Sequence, residues 1–136
     1  MGRTEQHWEE INQVFPRIAY VMGFLTSSEE NIEEIQSVVS LLNWTHEAFH
    51  NLCSTSSNRD CPENLIDNLT KCFQNLGKTH NPKEKLVIYD AIYSDMNELR
   101  IHIRKQNNEY SNMVSRCIGS ILKPIALRIA ELVQLT

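Results

Sequence analysis

The segment His46-Glu47-Ala48-Phe49-His50 comes closest to a chemical signature in this sequence. It has the form H-E-x-x-H, in which two histidines on one helix face can bind zinc while the glutamate activates a zinc-bound water. His46 also falls on an apolar stripe, where a hydrogen-bonded structural histidine is the more common outcome. The sequence offers no third ligand and no strand to hold a substrate. A zinc-dependent hydrolase using His46, Glu47 and His50 is therefore a minority hypothesis, and we expect no catalytic residue, metal or cofactor.

Four cysteines, Cys53, Cys61, Cys72 and Cys117, allow two interpretations. An even number fits two disulfides in a secreted domain, with three ways to pair them. Alternatively, all four are ordinary thiols, because cysteine packs well as a small hydrophobic residue. The cysteines alone favour neither interpretation.

Four residues form a small basic cluster, which Lys123 and Arg128 could extend: Arg100, His102, Arg104 and Lys105. The simpler interpretation is the solvated face of a helix. The sharper hypothesis is a patch that docks an acidic surface of a protein partner.

The composition is that of one globular domain covering residues 1–136, with 41% hydrophobic and 22% charged residues. The net charge of -4 gives no general attraction for nucleic acid or anionic lipid. No apolar run approaches the ~20 residues that span a bilayer. We therefore expect neither a nucleic-acid nor a membrane partner.

The cellular compartment is left open by the sequence. The first eight residues are polar and do not have the form of a signal peptide. We expect either a cytosolic protein or the mature part of a secreted one. Two sequons make Asn43 and Asn68 candidate glycosylation sites, which favours secretion slightly.

Apolar residues recur at alternating three- and four-residue spacing through most of the chain, which is the period of an α-helix. With few glycines and prolines to interrupt it, this pattern predicts an all-α fold, a compact bundle of four to five helices, mostly antiparallel. Residues 99–104 alternate apolar and basic side chains like a strand, but no partner strand exists elsewhere, so we predict a helix there. The predicted core positions are Trp8, Ile11, Phe15, Ile18, Met22 and Leu25; Ile32, Ile35, Val39, Leu42, His46, Phe49 and Cys53; Leu65, Leu69, Cys72 and Leu76; Tyr89, Ile92, Met96, Leu99 and Ile103; and Tyr110, Val114, Cys117, Ile121, Ile125, Ile129 and Leu132.

Helix starts are predicted at two capping boxes, Ser27 with Glu30 and Asp60 with Glu63. In each pair the first side chain and the carboxylate would satisfy free backbone amides. Another start is predicted at Asn81-Pro82, since proline suits the first turn of a helix.

Helix ends and interruptions have their own signals. Gly77 is expected to end the third helix, and residues 106–108 to separate the last two. Pro16 should kink or break the first helix, and Pro124 should kink the last, because proline removes a hydrogen bond and clashes with the preceding turn.

The run Asn51-Leu52-Cys53-Ser54-Thr55 is followed by a short loop and then by Glu63-Asn64-Leu65. It resembles the turn that ends the second helix of type I interferons, before a serine-rich loop leads to the third helix. Phe15-Pro16 followed by Ser27-Ser28-Glu29-Glu30 is similar to the run into the second helix, and Glu109-Tyr110-Ser111-Asn112 to the final loop and helix. The resemblance implies a helical cytokine, a secreted ligand that brings two receptor chains together and has no catalytic residues.

We therefore carry three functional hypotheses. The first is a secreted, cytokine-like signalling ligand that binds a cell-surface receptor. The rival is a cytoplasmic all-α interaction module, for example a virus-encoded immune antagonist, that keeps reduced thiols and binds a partner helix in a groove lined by Met22, Met96 or their neighbours. The third is the zinc-dependent hydrolase.

Overall fold

The computed structural model describes residues 2–26, 30–55 and 61–136 and contains five α-helices. No strand occurs among these residues, so the all-α prediction is confirmed and residues 99–104 are helical. The helices are α1 (Gly2–Leu25), α2 (Ile32–Thr55), α3 (Glu63–Leu76), α4 (Pro82–Arg104) and α5 (Glu109–Leu135).

The five helices form a closed ring, in which each packs against the next and α5 returns to α1. Contacts along the ring give the helix directions. Trp8, early in α1, meets Phe49, late in α2, edge to face at 6.1 Å between ring centroids. The Tyr110 hydroxyl, at the start of α5, donates to Glu9 of α1 at 3.1 Å. Short connections make consecutive helices antiparallel, whereas α1 and α5 run parallel.

One continuous apolar core fills the ring. Every core position predicted for α1 and α4 is buried. In α2 and α3 the buried face only partly follows the predicted stripe: Leu42 and Leu69 are buried as predicted, but Val38 is buried in place of Val39, and Phe73 in place of Cys72. These helices have adjacent apolar residues, and burying Phe73 removes more apolar area from water than burying Cys72 does.

Both helix-internal prolines lie within continuous helices. The predicted option of a break at Pro16 is therefore wrong. Pro16 itself is exposed, while Phe15 and Ile18 beside it are fully buried. Packing of these neighbours offsets the hydrogen bond that proline removes, because tertiary burial supplies most helix stability in proteins.

The start of α2 differs from the prediction. Asn31 caps it, since its Oδ1 accepts the backbone N–H of Glu33 at 2.8 Å. The carboxylate of Glu30 is bound by Lys85, Tyr89 and Arg128. Ser27, its predicted partner in a capping box, lies outside the described residues.

The starts of α3, α4 and α5 differ in how they are capped. Asp60 lies outside the described residues, and α3 begins at Glu63 after Pro62 with no side-chain cap. The Asn81-Pro82 start is confirmed, since Asn81 Oδ1 accepts the backbone N–H of Lys83 at 2.8 Å. Asn108 caps α5 through a reciprocal capping box.

Two connections end helices in different ways. Gly77 follows the last residue of α3 as predicted, but with φ -68, so no left-handed glycine is needed there. The break at residues 106–108 is confirmed, and Asn107 adopts φ 50 within it. Asparagine is one of the few residues that tolerate this left-handed conformation.

A buried ionic group, which we call the Glu30 network, lies at one end of the helix bundle. The Glu30 side chain is 2% exposed and accepts Lys85 Nζ and Arg128 Nε, each at 2.8 Å. The Tyr89 hydroxyl donates to the same carboxylate at 3.0 Å. Arg128 also donates to Glu131 at 3.0 Å. The connection between α1 and α2 is thereby fastened to both α4 and α5.

The network keeps Glu30 ionised. Burial by itself raises the pKa of Glu30, but hydrogen bonds from Arg128 and Lys85 outweigh it and lower the pKa from 4.5 to about 2. Burial and the neighbouring Glu30 charge raise the pKa of the Tyr89 hydroxyl, which therefore stays protonated as a donor.

Replacing Glu30 by Gln should lower the free energy of unfolding by about 3–5 kcal/mol at pH 7, because Arg128 and Lys85 lose the partner of a buried charge. Urea denaturation measures this loss. The matched control is Glu131→Gln, whose side chain is 57% exposed and whose loss should cost less than about 1 kcal/mol. Equal losses in both variants would contradict a special role for Glu30.

Acid should weaken the same network. Because the folded-state pKa of Glu30 lies below its unfolded value, its stabilisation is fully present above pH 4.5 and is lost as pH falls from 4.5 towards 2. Across that range the wild-type protein should lose about 3 kcal/mol more stability than the Glu30→Gln variant. Parallel stability curves for the two proteins would show that another group is responsible.

Candidate functional site

The end of α2 and the start of α3 are joined covalently. Cys53 and Cys61 form a disulfide with their Cα atoms 6.0 Å apart. Cys72 and Cys117 are free and partly buried. The structure therefore matches neither two disulfides nor four thiols, but one disulfide and two thiols.

The two free thiols are poor nucleophiles in the folded chain. Burial raises the pKa of Cys117, and burial together with the charge of Asp95 raises the pKa of Cys72. A raised pKa keeps a thiol protonated and therefore less reactive.

The predicted histidine pair faces α3, where carboxylates meet it. His50 Nδ1 lies 3.0 Å from Glu63 Oε1. His46 Nε2 lies 3.3 Å from Asp67 Oδ1 and 4.0 Å from Glu63 Oε2. We call these four residues the α2–α3 cluster. The sequence interpretation missed Glu63 and Asp67, although their four-residue spacing matches that of the histidines and places both on one helix face.

His46 is not the buried core residue that the stripe predicted, since 34% of its side chain is exposed. The adjacent Thr45 is buried in its place, and its hydroxyl donates to the Leu41 carbonyl at 2.7 Å. That backbone acceptor lets a polar side chain occupy the inner face of α2. Glu47 is exposed on the surface.

The basic cluster at the end of α4 is smaller than the sequence suggested. Arg104 and Lys105 are exposed. The guanidinium of Arg100 is partly buried and donates through Nη2 to Asn97 Oδ1 at 2.8 Å. Arg128 is not a member, because it faces inward and is bound in the Glu30 network.

An exposed aromatic pair lies on the outer face of α1. Tyr20 is 70% and Phe24 53% exposed, and their rings meet edge to face at 5.0 Å between centroids. Beside them a groove of about 700 Å³ runs between α1 and α2, lined by residues that include Tyr20, Gln36 and Leu41. Arg17, which also lines the groove, lies over the Trp44 ring, 5.4 Å from its centroid.

This aromatic surface, Tyr20 and Phe24, was missed because the sequence interpretation followed only the buried stripe of α1. Two aromatic residues four apart on the opposite face were the available signal. Met22 and Met96 are themselves fully buried, whereas Val21, the neighbour of Met22, lines the groove between α1 and α2.

Both candidate glycosylation sites, Asn43 and Asn68, have exposed side chains. A glycan on either helix would therefore extend into solvent. Glycosylation at these positions stays a prediction.

No protein-family model, curated protein or solved structure matches this chain. The similarity to type I interferons therefore stays a prediction. Within the described part of the chain, no helix combines the length and apolar character needed to cross a membrane.

Alkylation of the denatured, unreduced protein should add two alkyl groups per chain, at Cys72 and Cys117, as measured by intact mass. After reduction all four cysteines should react. Reduction should also lower the unfolding free energy by about 2–3 kcal/mol, because the disulfide closes a short loop.

The matched control for the disulfide is the double variant Cys53→Ser and Cys61→Ser, whose stability should not respond to the reductant. Four labelled thiols in the unreduced wild-type protein, or none, would contradict the observed pairing.

Proposed function

We propose that this chain is a secreted, non-catalytic helical ligand of the cytokine type that acts by binding a protein receptor. The observation that carries the proposal is the exposed aromatic surface, Tyr20 and Phe24, beside the groove between α1 and α2. Tyrosine and other large aromatic side chains supply much of the binding energy at protein interfaces. Two such rings held in contact at the surface are suited to a partner that covers them.

The disulfide supports a secreted location. Disulfides persist in oxidising compartments and are rare in the cytosol. Cys53–Cys61 ties the end of α2 to the start of α3, and the exposure of Asn43 and Asn68 is compatible with passage through a glycosylating compartment.

The arrangement of exposed groups suits a ligand with two contacts. The aromatic surface lies towards the end of α1, near the Glu30 network. The basic residues Arg104 and Lys105 lie at the end of α4, at the opposite end of the antiparallel bundle. One receptor chain would cover the aromatic surface and a second, acidic chain would pair with the basic residues, where charge mainly sets specificity and association rate.

A second candidate is the intracellular interaction module. The observation that favours it is the pair of unpaired thiols, Cys72 and Cys117, because free cysteines are usual where the compartment is reducing. Such a module would use the same groove between α1 and α2 for a partner helix.

The proposal is tested by saturable binding of the labelled, disulfide-bonded protein to intact cells of the organism that encodes it. The double variant Tyr20→Ala and Phe24→Ala should weaken this binding by about tenfold or more, since a truncated hot-spot residue costs roughly 2 kcal/mol or more. Competition with unlabelled protein measures the affinity.

The matched control is the double variant Val87→Ala and Leu127→Ala, which removes equally exposed apolar side chains from α4 and α5, 69% and 67% exposed. It should bind as the wild type does. No saturable binding to cells, combined with binding to a cytosolic partner, would replace the ligand proposal by the intracellular module. Equal loss in both double variants would rule out the aromatic surface as the contact.

A further inference from the structure

We propose that the α2–α3 cluster is a zinc site, in which His46 and His50 of α2 and Glu63 of α3 bind one Zn²⁺ and Asp67 completes its coordination. The role is a clamp between two helices rather than hydrolysis. The inference rests on the geometry of these four side chains and does not depend on the proposed receptor-binding function.

The donor atoms of the cluster meet in pairs across the two helices. Ligands of tetrahedral zinc, each bonded at about 2.0–2.1 Å, lie roughly 3.3 Å from one another. Here the distances are 3.0 Å from His50 Nδ1 to Glu63 Oε1, and 3.3 Å from His46 Nε2 to Asp67 Oδ1. Glu63 faces both imidazoles, with its second oxygen 4.0 Å from His46 Nε2. The carboxylate of Glu63 is therefore the residue that links the two histidines.

The chemistry of the donor set fits zinc. Two imidazole nitrogens and carboxylate oxygens are ligands that zinc accepts in a four-coordinate site. Two ionised carboxylates and two neutral imidazoles would balance the charge of Zn²⁺. The histidines also lie four residues apart on one helix, the arrangement that lets two imidazoles reach the same ion.

Zinc binding requires the side chains of the cluster to move together. The four residues do not yet converge on one point, since the compact group of potential ligands among the described residues is Cys53, Cys61 and Glu63. The His50 side chain is 62% exposed, so core packing does not hold its ring, and turning towards an ion would exchange its contact with Glu63 for a bond to the metal. Solvent reaches the cluster for the same reason, which gives the ion a path in.

The disulfide positions the site, and it also makes Cys53 and Cys61 unavailable as competing zinc ligands. It holds the end of α2 against the start of α3, so the two pairs of ligands are already opposed before an ion arrives. As long as Cys53 and Cys61 are bonded to each other, neither can supply the thiolate that zinc prefers. The imidazoles and carboxylates of the α2–α3 cluster then remain as potential ligands beside the disulfide.

The test is calorimetric titration of ZnCl₂ into the disulfide-bonded protein without reductant, in a Cys72→Ser and Cys117→Ser background that removes the free thiols. We expect one Zn²⁺ per chain. At zinc concentrations about a hundredfold above the dissociation constant, the melting temperature should rise by roughly 5–10 °C.

Three single variants and a control identify the ligands. His46→Gln, His50→Gln and Glu63→Gln should each weaken zinc binding by about tenfold or more, because even outer partners of metal ligands matter by that much. His80→Gln, an exposed histidine outside the cluster, should bind zinc as the parent does. All of these proteins should melt alike in EDTA, which separates a lost ligand from a lost fold.

Two results would overturn the proposal. One is undiminished zinc binding by both His50→Gln and Glu63→Gln. The other is an equal loss in His80→Gln, which would mean that zinc binds exposed histidines without a defined site. His50→Gln keeps the test decisive if His46→Gln fails to fold, because the ring of His50 is mostly in solvent.

Discussion

A carboxylate removed from water must find cations and hydrogen-bond donors or lose its charge, and this constraint shapes the bundle at Glu30. The cations that satisfy it, Lys85 and Arg128, lie on α4 and α5, more than fifty residues away along the chain. An apolar core tolerates small rotations and shifts of its helices, because hydrophobic attraction has no direction. Three hydrogen bonds to one carboxylate do not tolerate such shifts, because hydrogen bonds are directional. The network therefore selects one register for the connection between α1 and α2 relative to the last two helices.

The two ends of the helix bundle are stabilised by different kinds of interaction. At one end the Glu30 network is noncovalent and depends on ionisation. At the other, a covalent bond between Cys53 and Cys61 joins α2 to α3, and beside it the α2–α3 cluster is half in water. Redox conditions therefore act on one end and acidity on the other, while the apolar core between them, with Phe15, Phe49 and Phe73, is common to both.

The sequence predicted the elements well and their long-range partners poorly. Helical period alone located α1 and α4 with their buried faces, because a single well-defined apolar stripe leaves one choice of inner face. In α2 the apolar residues cover a wider face of the helix than one narrow stripe. The helical period therefore does not determine whether His46 or Thr45 lies in the core. Capping rules assign Glu30 to a helix start because they connect near neighbours in the sequence, whereas its partners in the structure are distant along the chain. The histidine pair was visible from spacing within one helix, but Glu63 and Asp67 could be assigned to it only after α3 was placed beside α2.

The closed ring has a consequence for synthesis of the chain on the ribosome. α1 packs against α2 and α5, and the bond between Glu9 and Tyr110 joins positions 101 residues apart. The side of α1 that packs against α5 therefore stays exposed while α2, α3 and α4 are synthesised. Folding that depends on such distant contacts is slow to start and leaves apolar surface open to other chains. Vectorial synthesis makes α5 the element that completes the core, so the nascent protein reaches its native packing only after α5 has been made.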